Sequence, residues 1–146
     1  MSASQYAELA AATFLKNENL VQTELIYIDP DRYLCLGMEF CKGGQLQKLF
    51  EQKLTERKRT AIYYQLLSGL AFLEQNRFVH CDLKPENLMV QYQKTEKKFD
   101  YRTLVKIGDF GLGSFVNQHS SGSYYPVSQK FAWTDGFRPP EVMAGF

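Results

Sequence analysis

The chain has 146 residues, of which 45% are hydrophobic and 23% are charged, a composition that predicts one folded domain and excludes a disordered or collagen-like chain. Its 17 Lys and Arg residues nearly balance its 16 Asp and Glu residues, so we expect neither nucleic acid nor a membrane surface as a partner. The three cysteines, Cys35, Cys41 and Cys81, contain no Cys-x-x-Cys pair, which excludes a zinc ligand set or a disulfide framework. Without a signal peptide or an apolar run of membrane-spanning length, we expect the chain in the cytoplasm or the nucleus.

The first third of the chain predicts one helix followed by two strands. Apolar residues recur at steps of three and four over residues 4–16, which is the spacing of an amphipathic helix. Residues 20–41 are rich in Val, Ile, Leu and aromatic residues, and Pro and Asp at 29–32 divide them by a turn. Gly43-Gly44 then interrupts the chain, and residues 45–52 predict a short helix.

The longest helix is predicted over residues 55–76, with Thr55 as its N-cap. Six large side chains fall on one face of it: Ile62, Tyr63, Leu66, Leu67, Leu70 and Leu73. A helix with so apolar a face is typical of the interior of a larger domain.

Short strands are predicted beyond this helix, at residues 78–80, 88–92 and 104–108. The polar stretch 93–102 predicts a solvated hairpin loop between two of them. Residues 113–138, rich in Ser, Gly and Tyr without periodicity, predict a long loop.

Two polar motifs carry the chemistry. The first is His80-Cys81-Asp82-Leu83-Lys84-Pro85-Glu86-Asn87, and the second is Ile107-Gly108-Asp109-Phe110-Gly111. A third segment, Arg138-Pro139-Pro140-Glu141, follows, with Glu141 lying 32 positions after Asp109. In this order and spacing the three motifs resemble the catalytic loop, the Asp-Phe-Gly motif and the Ala-Pro-Glu segment of eukaryotic protein kinases.

The resemblance implies an α+β, protein-kinase-like fold that is incomplete. Residues 1–41 would form a remnant of the N-lobe, with the αC helix, two or three strands and the hinge, and residues 42–146 the first half of the helical C-lobe. Glu8 would be the αC glutamate. The family's glycine-rich loop, its strand lysine and the last C-lobe helices find no counterpart in this sequence. We therefore expect an exposed C-lobe face that a protein partner could cover.

The resemblance also implies the catalytic roles. Asp82 would orient the acceptor hydroxyl and take its proton, and Lys84 would lie against the transferred phosphate. Asn87 and Asp109 would supply oxygen ligands to Mg²⁺. On the residues alone, a second interpretation stays open, in which Asp82 and Asn87 cap turns and Asp109 begins a glycine turn.

An ATP site is implied by position relative to Asp82. Met38 would be the gatekeeper, and the main chain of Glu39 and Cys41 would pair with the adenine. Gln45 would lie near the ribose, and Met89 would form the floor beneath the base. Each of these residues, taken alone, more often reflects ordinary strand and core packing.

Other positions bear on how the protein is regulated and on which hydroxyl it phosphorylates. By resemblance, His80 packs in the core and bonds to the backbone. Cys81 stands where the family has an arginine that pairs with a phosphate on the activation segment. A thiol cannot form that pair, so we do not expect activation by phosphorylation of this segment. Lys84 and Thr134 match the serine/threonine branch of the family. Hydroxyls in the activation segment could accept phosphate: Ser120, Ser121, Ser123, Tyr124, Tyr125 and Ser128.

Two functions follow from the sequence. The first is a serine/threonine protein kinase that transfers the γ-phosphate of ATP to protein hydroxyls, with Mg²⁺. The alternative is a catalytically impaired, kinase-like fragment that acts as a binding or regulatory module. The intact set of Asp82, Lys84, Asn87 and Asp109 favours the first, and the missing strand lysine favours the second.

Overall fold

The computed structural model describes residues 3–95, 101–118, 124–126, 134, 136–137 and 140–143. The helices are α1 (Ala3–Phe14), α2 (Leu46–Phe50), α3 (Glu56–Gln75) and α4 (Pro140–Met143), and a 3₁₀ turn spans Pro85–Asn87. The strands are β1 (Thr23–Ile28), β2 (Leu34–Met38), β3 (Gly44–Gln45), β4 (Phe78–Val79), β5 (Leu88–Lys94), β6 (Tyr101–Ile107), β7 (Ser114–Gln118) and β8 (Tyr124–Pro126). The mixture of helices and small antiparallel sheets confirms the predicted α+β class.

The predicted helices are present. Helix α3 begins after Thr55, whose hydroxyl accepts the backbone N–H of Lys58 at 3.3 Å, so the predicted N-cap is confirmed. Helix α2 lies within the predicted range 45–52, and α1 ends at Phe14, two positions before the predicted end at Lys16.

Strands β1 and β2 form the predicted antiparallel hairpin, with Ile28 opposite Leu34. The carboxylate of Asp29 closes the turn by accepting the backbone N–H of Tyr33 at 2.7 Å. Most β1 side chains are exposed, so this hairpin contributes little to the core.

A second sheet has the order β3-β5-β6, and its strand β5 follows the loop that contains Asp82. Strands β5 and β6 pair in register from Leu88 opposite Ile107 to Lys94 opposite Tyr101. The predicted loop over residues 93–102 is therefore too long, because the backbone pairing continues where the side chains have become polar and solvated. Gly43 donates its N–H to the Val90 carbonyl at 2.9 Å, and a Cβ there would lie 2.5 Å from Val90 Cγ1, so the close approach requires glycine.

The third sheet, in the order β4-β7-β8, corrects the prediction of a loop over residues 113–138. Phe115 in β7 pairs with Phe78 in β4, and Val116 donates its N–H to the carbonyl of Arg77 at 2.8 Å. The partners of β7 in β4 are more than 30 residues away in the chain, so no local periodicity announces the strand.

Two buried clusters form the core, and both meet the same face of the β5–β6 hairpin, because Val90, Val105 and Ile107 alternate onto one side of it. The larger cluster contains Ala11, Leu15, Leu20, Leu73, Phe78, Ile107 and Phe110. The smaller cluster contains Leu46, Leu54, Ile62, Val90 and Val105. Leu66 of α3 and Leu88 of β5 pack against both clusters, so α3 joins them.

Part of α3 remains exposed, in contrast to the buried helix that its apolar face predicts. Ile62 and Leu73 are buried, but Tyr63 and Leu67 are 56% and 65% exposed. Together with Leu83, which is 41% exposed, they form the open face of α3 beside an apolar cavity of about 330 Å³. None of the described helices is long and apolar enough to cross a membrane.

Candidate active site

The loop between β4 and β5 is anchored by His80, which is buried. Its Nε2 donates to the carbonyl of Gly108 at 2.9 Å, and its Nδ1 accepts the backbone N–H of Asp82 at 3.2 Å, an arrangement that requires the neutral ring. Burial lowers the pKa of His80, in agreement with that neutral form. The predicted core position and backbone bond of His80 are confirmed, and the bond ties this loop to the residue before Asp109.

Asp82 lies at the centre of a polar network. Its carboxylate is almost completely buried and forms an ion pair of 2.7 Å with Nζ of Lys84. Oδ2 also accepts from Nδ2 of Asn87 at 3.1 Å, and Oδ1 accepts from the hydroxyl of Thr134. Nδ2 of Asn87 further donates to the backbone carbonyl of Asp82 at 2.9 Å, so the two residues are held as one unit.

The network keeps Asp82 ionised. Burial by itself raises the pKa of a carboxyl group, but hydrogen bonds from Lys84, Thr134 and Asn87 outweigh burial here and lower the pKa of Asp82. The same contact with Asp82 raises the pKa of Lys84, so both groups carry charge at neutral pH. A buried carboxylate in this state can accept a hydrogen bond from a hydroxyl group.

Thr134 connects the loop to a distant part of the chain. Its hydroxyl accepts from Nζ of Lys84 at 2.9 Å while it donates to Asp82. In the sequence Thr134 serves only as a marker of a family branch; its contact with the carboxylate is a finding of the structure. The signal available from sequence was its spacing from Arg138, which gives no contact.

Asn87 and Asp109 are brought together by the backbone. Gly108 donates its N–H to the carbonyl of Asn87 at 2.8 Å, and both Asn87 and Asp109 line one cavity. Asp109 is exposed and has a φ of 62°, as does Cys81. A positive φ is uncommon for a non-glycine residue; Arg32 and Arg77 also have one, at turns elsewhere in the chain.

Helix α1 carries Glu8 to the same region. Burial and the nearby charge of Asp109 raise the pKa of Glu8, and the neighbouring backbone of Phe110 and Gly111 partly offsets this rise. The predicted αC glutamate therefore contacts the segment that holds Asp109.

The cavity beside Asn87 and Asp109 has a volume of about 250 Å³. Its lining includes most of the predicted adenine residues: Met38, Glu39, Cys41 and Met89, with Val21 and Phe40. Gln45 is not among the lining residues; it lies opposite Met89 at the start of α2. Apolar walls with a few polar groups at one end are typical of a site for a planar, partly polar ligand.

The backbone of the predicted hinge is partly engaged. The N–H of Glu39 donates to the carbonyl of Gln22 at 2.9 Å, and the carbonyl of Cys41 accepts from Gly44 at 3.0 Å. Among the described residues, no backbone bond to the carbonyl of Glu39 or to the N–H of Cys41 is found, so these two main-chain groups could serve a base in the cavity.

Neither buried cysteine is a thiolate at neutral pH. Burial, with the charge of Glu39, raises the pKa of Cys41. Burial, with the charge of Asp82, raises the pKa of Cys81 to about 11. A neutral thiol at position 81 cannot form a charge-assisted pair with a phosphate.

The donor set suits magnesium better than a transition metal. The described residues contain no group of three or more His, Cys, Asp and Glu side chains able to enclose a metal ion. Asn87 and Asp109 supply amide and carboxylate oxygens, and Mg²⁺ commonly takes one or two such ligands together with phosphate oxygens. The residues present therefore fit a metal that arrives with a nucleotide.

The sequence matches the family described as Protein kinase domain over residues 2–145. The chain belongs to the protein kinase family. The family implies ATP, magnesium and a protein substrate. This kinase sequence is also similar to "Serine/threonine-protein kinase atg1" of Dictyostelium discoideum, with 34% identity over 113 residues. That match covers 76% of the chain but only 15% of the relative, so the chain spans a small part of that protein's length.

Several predicted kinase positions lie outside the described residues. These are Ser120, Ser121, Ser123, Ser128, Arg138 and Pro139. Of the third motif, the structure describes helix α4, which begins at Pro140 and includes the backbone of Glu141.

Proposed function

We propose that the chain forms the catalytic centre of a serine/threonine protein kinase, which transfers the γ-phosphate of ATP to hydroxyl groups of proteins. The observation that carries the proposal is the buried, ionised carboxylate of Asp82, held by Lys84, Asn87 and Thr134 beside the cavity that ends at Asp109. In this reading, residues 1–41 are the N-lobe part with the hinge, and residues 42–146 are the C-lobe part.

Asp82 is the proposed base. Its carboxylate accepts three donors from this chain, so it is oriented before any substrate arrives, and its lowered pKa keeps it ionised. A substrate hydroxyl that donates to Asp82 is thereby turned toward the phosphate it attacks, and its proton passes to the carboxylate.

Lys84, Asn87 and Asp109 are proposed to offset the negative charge of the phosphates. Nζ of Lys84, 2.7 Å from Asp82, places a cation beside the proton acceptor, where the transferred phosphate carries its negative charge. Asn87 and Asp109 are the proposed ligands of Mg²⁺, which neutralises the charge of the ATP phosphates when it is bound.

The 250 Å³ cavity is proposed to hold the adenine end of ATP. Met38, which lines the cavity, is the proposed gatekeeper. The carbonyl of Glu39 and the N–H of Cys41 would pair with the base, and Met89 would lie beneath it. Gln45, one strand away from Met89, is the proposed contact for the ribose.

The acceptor class is proposed from two observations. Lys84 and Thr134 bond to each other and to Asp82, so the residues that mark the serine/threonine branch act together at the proposed base. The relative at 34% identity is named a serine/threonine-protein kinase. We therefore expect Ser or Thr, and not Tyr, as the acceptor.

Nucleotide binding by the purified chain tests the proposal. Mg–ATP at millimolar concentration should raise the Tm of the unchanged chain, because a ligand that binds only the folded state stabilises it. Asp109→Asn should reduce the rise by removing a metal ligand, whereas Asp31→Asn, in the exposed β1–β2 turn, is the matched control and should keep it. An unchanged Tm for the unmodified chain would remove the nucleotide site from the proposal.

The second candidate is a binding or regulatory module without its own phosphotransfer activity. The open face of α3 favours it, because Tyr63, Leu67 and Leu83 are exposed beside an apolar cavity. A chain that raises the activity of a separate kinase but gives no Tm shift with Mg–ATP would support this candidate against the first.

A further inference from the structure

A buried ion pair joins the proposed hinge to the strand that leads to Asp109. Nζ of Lys106, in β6, lies 2.8 Å from Oε1 of Glu39, and both side chains are nearly enclosed, with exposed fractions of 6% and 14%. Lysine is seldom buried unless a partner neutralises it, and the energy of such a pair depends on its geometry. The location of this pair, between the proposed hinge and strand β6, therefore indicates which parts of the chain it holds together.

The sheet register places Lys106 under the cavity. Gln45 in β3, Met89 in β5 and Lys106 in β6 stand opposite one another across the three strands. Residues directly opposite in antiparallel strands point to the same face of a sheet. Met89 lines the cavity, so Lys106 occupies the neighbouring position on that same face, and its amine extends to the hinge.

The segment that follows α1 completes the connection. Oε1 of Glu39 also accepts the backbone N–H of Gln22 at 2.8 Å, and Nζ of Lys106 donates to the carbonyl of Leu20 at 3.3 Å. In the same segment Val21 donates its N–H to the carbonyl of Ile107 at 2.8 Å. One carboxylate and one amine thus link three parts of the chain: the hinge, the segment after α1 and strand β6.

We propose that Lys106 is a positioning residue for the nucleotide. Through Glu39 it fixes the main chain of the hinge relative to β6. Asp109 is the second residue after the end of β6. The adenine end and the metal end of the site are thereby held at one separation. The proposal rests on the proposed function, because it assumes that this cavity binds a nucleotide.

Four variants of the chain test the proposal by Kd for Mg–ATP and by Tm. Lys106→Met leaves the Glu39 carboxylate buried without its cation, and we expect affinity to fall at least about tenfold, together with Tm. Glu39→Gln leaves the Lys106 amine buried without its anion, so Tm and affinity should fall here as well. The loss should be the smaller of the two, because the amide oxygen can still accept the N–H of Gln22 and the amine can still donate to the carbonyl of Leu20. Lys94→Met, with an exposed side chain on the paired strand β5, is the matched control and should keep the unchanged Kd.

The double variant Glu39→Gln/Lys106→Met separates positioning from stability. It buries no unpaired charge, so Tm should recover most of the loss seen in Lys106→Met. Affinity should remain about tenfold weaker than in the unchanged chain, because no ionic contact ties the hinge to β6. Recovery of both Tm and affinity would show a merely structural role and overturn the proposal.

The remaining outcomes are also decisive. An unchanged chain that binds Mg–ATP while Lys106→Met binds as tightly as Lys94→Met overturns the positioning role and leaves the proposed function intact. An unchanged chain that does not bind Mg–ATP overturns the proposed function and this proposal with it. If Lys106→Met does not fold, the Kd values of Glu39→Gln and of the double variant test the positioning role instead. The proposal is contradicted if both variants bind Mg–ATP with the same Kd as the unchanged chain.

Discussion

The loop over residues 80–87 has a polar side and an apolar side, and the two differ in whether their side chains find partners. On the polar side, the carboxylate of Asp82 bonds to Lys84 and Asn87, which lie within six residues of sequence. The distant Thr134 is its third partner. On the apolar side, Leu83 of the same loop joins Tyr63 and Leu67 in the open face of α3, and all three are exposed.

The difference shows what each kind of interaction needs. Hydrogen bonds and ion pairs are short and directional, so a few residues at fixed spacing can satisfy one another. An apolar surface is satisfied only by covering it with another apolar surface, which the neighbouring residues of a loop cannot supply. Within the described residues, the polar side chains bond to one another, whereas the apolar side chains remain exposed.

Replacement of Asp82 tests the polar side and has the largest expected effect. In any form of this kinase that phosphorylates a protein, Asp82→Asn should lower kcat by about 10²–10⁴-fold, because a positioned base contributes this much. Asp31→Asn is the control, and the measurement is phosphate incorporation into a Ser/Thr-containing protein. Activity retained in Asp82→Asn, with an unchanged Tm, would mean that the base is another group.

Leucine replacements sharpen the contrast between buried and exposed apolar positions. Leu20 is completely buried, so Leu20→Ala should lower the free energy of unfolding by about 2–5 kcal/mol. Leu67 is 65% exposed, so Leu67→Ala should change it by less than about 0.5 kcal/mol. Urea unfolding of the chain measures both. Equal losses would indicate that the open face of α3 is covered in solution.

The pH dependence of stability tests the anchor of the loop. The pKa of His80 is lowered by burial, so below about pH 6.5, the usual histidine pKa, the unfolded state binds a proton that the folded state resists. Stability should therefore fall as pH drops from about 6.5 toward the lowered pKa, by at most about 1.4 kcal/mol per pH unit from this residue.

A variant without the imidazole isolates this contribution. His80→Asn should lose that part of the dependence in Tm scans between pH 5 and pH 8, whereas His119→Asn, which removes the other histidine of the chain, should retain it. The raised pKa of Glu8 has the opposite sign, since stability falls as pH rises through it, and both variants contain Glu8. Identical pH profiles for the two variants would argue against a buried, neutral His80.

The start of α3 gives the smallest expected effect. Thr55→Ala removes the acceptor of the Lys58 N–H and should lower the free energy of unfolding by about 1 kcal/mol. Thr60→Ala, at an exposed position within the same helix, is the control and should change it by no more than about 0.5 kcal/mol. Urea unfolding provides the measurement. Equal losses in the two variants would indicate that the cap contributes nothing.

Local sequence determined the helices and the polar motifs of this protein. The cap at Thr55, the apolar spacing of α3 and the Pro-Asp turn of the first hairpin each depend on residues a few positions apart. Asp82, Lys84 and Asn87 likewise lie within six residues of sequence, and Lys84 and Asn87 both bond to the Asp82 carboxylate. These features were predictable because the forces that create them act over one or two turns of chain.

Only the tertiary structure decided the contacts between distant segments. Strand β7 lies in a region predicted as a loop, because its partner β4 lies far away in the chain and its own sequence lacks alternation. Thr134 reaches Asp82 across 52 positions, and Lys106 reaches Glu39 from another strand, inside an apolar run that gives no sign of an ion pair. Such contacts depend on how the elements pack in three dimensions, and the sequence order of the residues does not encode that packing locally.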